Sequence, residues 1–238
     1  MHFAIIAAGE GSRLAQEGVA LPKPLVDLDG RPMVRRLLDI FGECQAQSVS
    51  IIVNEFMTEV REYIEEIAPT LPYPLNIVVK TTPSSMHSFY EVSRSFPGDS
   101  KFILTTVDTI FRAPEFARYV TAFEQAGDDV DGCMGVTDFI DDEKPLYIDV
   151  DPATMLITAF RDSASGDDRY ISGGIYGLRT APALRVLEDC MSRGVSRMRN
   201  YQRALVADGL RLVAFPFDKI IDVDHAADIA TARAFINS

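Results

Sequence analysis

The chain has no apolar run of about 18 residues, which excludes a membrane-spanning helix of ordinary length. Cysteine is sparse: Cys44, Cys133 and Cys190 stand at no metal-ligand spacing, and an odd set of three argues for a reducing compartment over a disulfide framework. Positive charge is also short, because 23 Lys and Arg face 35 Asp and Glu for a formal net charge of -12. That balance excludes general attraction to nucleic acid or to an anionic membrane surface, so any bound phosphate needs a local positive site. The opening residues, MHFAIIAAGEG, lack a basic segment and their apolar run stops at Gly9, so they read as neither signal peptide nor membrane span. The expected location is the cytoplasm. No low-complexity linker and no repeat with a period of about 20–50 residues is present.

What is present is 238 residues, 47% hydrophobic and 24% charged, enough to bury roughly 70% of the unfolded surface in one core. Short apolar runs rich in β-branched residues alternate with stretches whose apolar residues recur every three or four positions. This alternation predicts an α/β fold, a mostly parallel sheet with helices on both faces, as one domain over residues 1–238. The predicted strands are FAIIAA, SVSIIVN, LNIVVKT, KFILTTV, DGCMGVT, YISGGIYGL and LRLVAF. The predicted helices are PMVRRLLDIFGE, EVREYIEEIA, MHSFYEVSRSF, PEFARYVTAFEQAG and PALRVLEDCMSRG, the last offering either core or a dimer face. DLDGRP reads as a turn with Pro32 near the first helical position. The stretch DSASGDDR (162–169) reads as a mobile surface loop after a hairpin, LYIDVDPATMLITAF.

The end of the first strand is the most informative segment. Ala7-Ala8-Gly9-Glu10-Gly11-Ser12-Arg13 puts glycines where the backbone must turn sharply, so that bare N–H groups can face an anion. Arg13 adds a forked, permanently charged donor. Lys23 follows between Pro22 and Pro24, which stiffen the backbone on both of its sides. A Rossmann dinucleotide fingerprint would need a third glycine, which is missing.

The run IIAAGEGSRL...PKPLVDLDGRPMV resembles the signature of the nucleotidyltransferase family that includes the sugar-1-phosphate pyrophosphorylases, over about the first 35 residues. The resemblance implies a Rossmann-like domain whose first loop wraps a nucleoside triphosphate. Ala8, Gly9, Gly11 and Ser12 would contact the nucleotide, Arg13 would hold the β and γ phosphates, and Lys23 would reach the α-phosphate. It also implies Mg²⁺, or Mn²⁺, on Asp108 after the strand KFILTTV and on Asp224 in IIDVDHAADI. Asp224 is preferred to Asp222 for that role and is also read as N-cap of the last helix. The implied reaction joins the triphosphate to a sugar 1-phosphate and releases pyrophosphate; the alternative is a cytidylyltransferase acting on a phospho-alcohol such as phosphocholine. The partners are thus a triphosphate and a small phosphorylated acceptor, with a homo-oligomer open.

The match has departures. EKP, which relatives carry close to the acceptor phosphate, stands early here at Glu143–Pro145, leaving Arg161, Lys144 and Lys219 as candidate cations. PSSMHSFYEV replaces a glycine-rich loop and resembles the helix start of short phosphocholine cytidylyltransferases, with Ser84 and Ser85 read as caps and His87 near the nucleobase. His2, His87 and His225 have no zinc spacing, and no serine-histidine-acid set can be assembled. A glycosyltransferase would keep its Asp-x-Asp mid-chain, and a non-catalytic nucleotide-sugar sensor would lack Lys23 or a metal ligand; both stand as alternatives.

Overall fold

Six consecutive buried residues in HFAIIA leave the first strand no solvent face, so elements must cover it on both sides. In the computed structural model, which describes all residues except Asp99, Asp142, Asp167 and Ser238, they do. The strands are β1 (His2–Ala7), β2 (Asp27–Leu28), β3 (Arg31–Pro32), β4 (Ser48–Val53), β5 (Leu75–Val79), β6 (Lys101–Thr106), β7 (Thr109–Ile110), β8 (Gly132–Thr137), β9 (Tyr147–Val150), β10 (Ile157–Arg161), β11 (Tyr170–Arg179), β12 (Leu212–Phe217) and β13 (Ile221–Asp222). The helices are α1 (Ser12–Gln16), α2 (Met33–Glu43), α3 (Thr58–Ile67), α4 (Ser85–Ser93), α5 (Ala113–Gln125), α6 (Thr180–Ser192), α7 (Met198–Ala207) and α8 (Ala226–Ile236).

β1 pairs in parallel with β4 on one side and β6 on the other, and β4 pairs in parallel with β5. The chain therefore runs outward through β4 and β5, then returns across β1 to β6. Such a reversal opens a crevice beyond the carboxyl ends of the two central strands. β11 runs antiparallel to β6 and β8, and β12 rejoins parallel to β8. The mostly parallel sheet expected from the β/α alternation is there, with β11 and the hairpin strand β10 running against the rest; an apolar run such as YISGGIYGL carries no mark of direction.

Alternate β1 side chains enter two cores. Ala4 and Ile6 pack with Phe89 of α4, Leu187 of α6 and Tyr201 of α7, while Phe3 and Ile5 pack with Phe41 of α2, Ile64 of α3 and Phe116 of α5. A third cluster joins Leu14, Val26 and Ile110 to Val223 and Phe235, so the two ends of the chain meet beside the crevice. Asp29 and Gly30, with φ of 60 and 85, make the two-residue β2–β3 turn, in which two positive φ values match the strand twist. Pro32 stands at the N-cap of α2, next to the first helical position as expected.

Of the two readings of α6, the structure takes core: its apolar face, Ala183, Val186, Leu187 and Cys190, is buried. The stretch read as mobile is instead held at Asp162 and Asp168: Arg161 pairs with Asp168, while Arg199 and Arg203 both pair with Asp162. Asp167, within the stretch read as mobile, lies outside the described residues. All three cysteines are free thiols, Cys133 and Cys190 buried. Among the described residues no helix is long and apolar enough to cross a membrane.

Candidate functional site

Gly11 caps α1 with φ 61, and a Cβ placed there would come within 3.0 Å of the Lys23 Cβ. Left-handed backbone and close approach together demand glycine. The loop is also tied from the neighbouring strand: Asn54 donates from Nδ2 to the Ala8 carbonyl at 3.2 Å, and its Oδ1 accepts from the Phe56 N–H and the Thr81 hydroxyl. Lys23 opens a short 3₁₀ turn, Lys23–Leu25, closed by Leu25 N–H donating to the Pro22 carbonyl at 2.8 Å, and is only 9% exposed.

Two carboxylates from distant parts of the chain meet this lysine. Asp108 sits at the corner after β6, and Asp224 follows β13. β13 pairs antiparallel with β7, and Val223 N–H donates to the Asp108 carbonyl at 3.1 Å, which sets Asp224 beside Asp108. Lys23 Nζ donates to Asp108 Oδ2 and, at 2.6 Å, to Asp224 Oδ1. Asp224 Oδ2 in turn accepts from Arg13 at 2.6 Å. Arg13, Lys23, Asp108 and Asp224 thus form one charged network.

Burial alone would lower the Lys23 pKa, but the Asp108 and Asp224 carboxylates outweigh it and hold the ammonium above its usual range. Burial would likewise raise Asp108, and Lys23 outweighs it to hold the carboxyl below its usual value. The pair therefore stays ionised at neutral pH. The Lys23 ammonium lodged between the two carboxylates shows that the place between them accommodates positive charge. Among the described residues no group of three or more potential metal ligands converges. Two protein carboxylates match magnesium, which keeps several waters and takes further oxygens from substrate phosphates.

All eight residues singled out from the sequence, Ala8 to Asp224, line one cleft of about 620 Å³ at the carboxyl ends of β1 and β6. A second cavity of about 330 Å³ shares Ser85, Thr106, Asp108 and Asp224 with it and extends to Asp222, Arg197 and Arg199. The two open onto the same pair of acids from different sides.

Other expectations are corrected by the geometry. The N-cap of α8 is His225, not Asp224; the backbone N–H groups of both donate to Asp228 Oδ2, at 2.7 and 2.9 Å. Ser84 is the N-cap of α4 by position, but its hydroxyl contacts His87 Nδ1 at 2.8 Å and accepts from the Arg197 N–H, and both Ser84 and Ser85 line the larger cleft. Of the candidate acceptor cations, Arg161 is held by Asp149 and Asp168, and Lys219 lies 3.9 Å from the centre of the Phe139 ring. Neither lines the second cavity, and nor does Lys144, whose carbonyl accepts from Arg199. Asn54, Arg197 and Arg199 were invisible in the sequence, since none belongs to the glycine-proline-lysine pattern.

A mostly parallel sheet with a switch-point crevice, edged by a glycine loop with an arginine and a lysine paired to two acids, is an α/β fold of the nucleotidyltransferase type. A model of the MobA-like NTP transferase domain matches residues 3–159, and the chain belongs to that family. It is 27% identical over 160 residues to a CMP-5'-(3-aminopropyl)phosphonate synthase of Streptomyces rubellomurinus, covering 59% of this chain and 24% of the relative. It is 31% identical over 78 residues to a 2-aminoethylphosphonate cytidylyltransferase of Lancefieldella rimae, covering 33% of this chain and 29% of the relative. The chain thus spans under a third of the length of these curated relatives. In overall shape it resembles the inositol-1-phosphate CTP transferase of T. maritima, with a TM-score of 0.80 at 17% identity over 100% of this chain and 96% of the other. It also resembles a putative glucose-1-phosphate thymidylyltransferase of Bacillus anthracis, with a TM-score of 0.83 at 15% identity over the same shares.

Proposed function

We propose that the protein transfers a nucleotidyl group from a nucleoside triphosphate to a phosphate or phosphonate oxygen of a small acceptor, releasing pyrophosphate. The observation that carries this reading is the meeting of the two cavities at Asp108 and Asp224, the acids that Lys23 bridges from the larger cleft, one cavity behind the phosphate-type loop and one beyond the acids. CTP with an alkyl phosphonate or phospho-alcohol is the preferred pair. It is supported by two relatives named for cytidylyl transfer to aminoalkylphosphonates and by a structural neighbour named for CTP and inositol 1-phosphate. A sugar 1-phosphate is the second reading, favoured by the likeness to a glucose-1-phosphate thymidylyltransferase and weakened by the displaced EKP.

The acceptor oxygen attacks the α-phosphorus in line, a new P–O bond forms, and the bond to the bridging oxygen of pyrophosphate breaks with its electrons. No covalent enzyme intermediate is required. Backbone N–H groups around Gly9 to Ser12 cradle the triphosphate, and Arg13 grips the departing pyrophosphate through charge-assisted bonds of about 1.5–3 kcal/mol each. Lys23 moves from its acids to the α-phosphate, where one well-aimed donor is worth about 10²- to 10³-fold in rate. Asp108 and Asp224 would hold a magnesium or manganese ion, which when bound neutralises triphosphate charge and eases the approach of a second anion. Positioning and charge neutralisation supply most of the rate, as in other phosphoryl transfers.

The test is pyrophosphate release with Mg²⁺, each common triphosphate, and in turn 2-aminoethylphosphonate, phosphocholine and glucose 1-phosphate. Release with one pair, cut at least about a hundredfold by Lys23→Ala, supports transfer at this site. Triphosphate binding without release from any pair points to a sensor.

A further inference from the structure

An acceptor that brings its own negative charge to Asp108, Asp222 and Asp224 needs positive charge on its side of the acids. The second cavity, about 330 Å³, is walled by these three carboxylates, and among the described residues its cations are Arg197 and Arg199. The lysines and the arginine suggested by the sequence do not line it. Arg199 is braced: it donates to Asp162 Oδ1 at 2.6 Å and to the Lys144 carbonyl at 3.0 Å. Asp162 is itself fixed by Arg203 at 2.7 Å. Arg197 differs, because its guanidinium has no hydrogen-bond or ion-pair partner among the described residues, although the chain carries 35 acids. Its main chain is firmly held, the N–H donating to Ser84 Oγ at 3.2 Å. It also adopts φ 71 and ψ 139, a region that glycine enters freely and arginine does not.

We propose that Arg197 and Arg199 form the clamp for the acceptor's phosphate or phosphonate group, with Asp162 as the positioning residue that braces Arg199. The clamp rests on the nucleotidyl-transfer reading and deepens it by assigning the acceptor side. A planar guanidinium matches two oxygens of a tetrahedral anion, leaving a third oxygen directed at the α-phosphorus. That third oxygen forms the new P–O bond as the bond to pyrophosphate breaks. The acceptor class is a compact dianion, since the cavity carries no second cationic cluster for a longer polyphosphate.

Arg197→Gly separates the clamp from the fold, because glycine suits the backbone at this position. Calorimetric titration of the intact protein with CTP, and separately with 2-aminoethylphosphonate, phosphocholine and glucose 1-phosphate, reads the two sides independently. The expected result is that wild type binds at least one acceptor probe, that Arg197→Gly weakens it at least about tenfold, and that CTP binding changes less than about twofold. Arg197→Lys should recover part of the loss, and the melting temperature of Arg197→Gly should not fall below wild type. Unchanged acceptor affinity, an equal loss for CTP and acceptor, or no acceptor probe bound by wild type would each overturn the clamp. Failure of every common triphosphate to bind would instead overturn the reading beneath it.

Discussion

Lys23 Nζ lies 2.6 Å from Asp224 Oδ1, across 201 residues of sequence, and the same ammonium reaches Asp108. It occupies the position between two carboxylates where the proposed divalent cation would bind. On that proposal lysine and metal would compete for one place, and the movement of Lys23 toward a bound triphosphate would vacate it.

Removing the lysine should make that competition measurable. Lys23→Ala leaves Asp108 and Asp224 facing each other without a cation. The cost should be about 2 kcal/mol, below the ~3–5 kcal/mol of a fully buried pair because Asp224 is 40% exposed and screened. Added Mg²⁺ should then raise the melting temperature of Lys23→Ala more than that of wild type. Equal shifts in the two proteins would refute a shared site.

Gly11 gives a second handle on the lysine. Alanine at φ 61 costs about 1–2 kcal/mol of backbone strain, and its Cβ at 3.0 Å from the Lys23 Cβ must push the side chain aside. Because misplacement by about 1 Å can cost around 10²-fold, turnover of Gly11→Ala should fall by more than about tenfold. Gly18→Ala is the control: φ is 86, but its Cβ would meet nothing within 4 Å. It should lose similar stability and keep its turnover; a comparable loss of turnover in both would assign the effect to strain alone.

Legibility from sequence followed the range of the interactions. The phosphate-type loop, Lys23 and the strand-end Asp108 sit in local patterns of glycine, proline and β-branched residues, and those patterns are visible without a fold. Asp224 was readable only through resemblance, because its meeting with Asp108 depends on the β7–β13 pairing, two residues a side. Arg197 and Arg199 escaped because MRNYQRALVA hides its apolar stripe: Met198, Tyr201 and Leu205 are buried, but Gln202 is buried with them and arginines stand between. The direction of β11 and the pinning of Asp162 are tertiary facts that no local window records.

The two acids of the C-terminal segment should separate by mutation. Asp224 pairs with both Lys23 and Arg13, whereas Asp222 is more exposed and receives a long contact, 3.4 Å, from the Thr109 hydroxyl. Asp224→Asn should lower turnover by at least about a hundredfold, because it halves the charge that balances Lys23 and removes a proposed metal ligand. Asp222→Asn should cost less than about tenfold and act mainly on acceptor KM, since Asp222 lines the second cavity and not the larger cleft. Equal losses in turnover would make Asp222 a partner in the charged network.

Acid should destabilise the fold through a residue outside the site. His2 is 3% exposed in β1, with Nδ1 2.7 Å from the Ser48 hydroxyl and Nε2 buried without a hydrogen-bond partner among the described residues. Burial, aided by the nearby N-terminal ammonium, lowers its pKa from 6.5 to about 4. Between those values the unfolded chain binds a proton that the native state refuses, so stability rises with pH across this window and is lost as pH falls through it. The full shift corresponds to at most about 3 kcal/mol, complete only below pH 4. Denaturant midpoints for wild type and His2→Phe at pH 7.5 and pH 5 should show wild type losing more on acidification. A parallel loss in the two proteins would mean that another buried group carries the acid sensitivity.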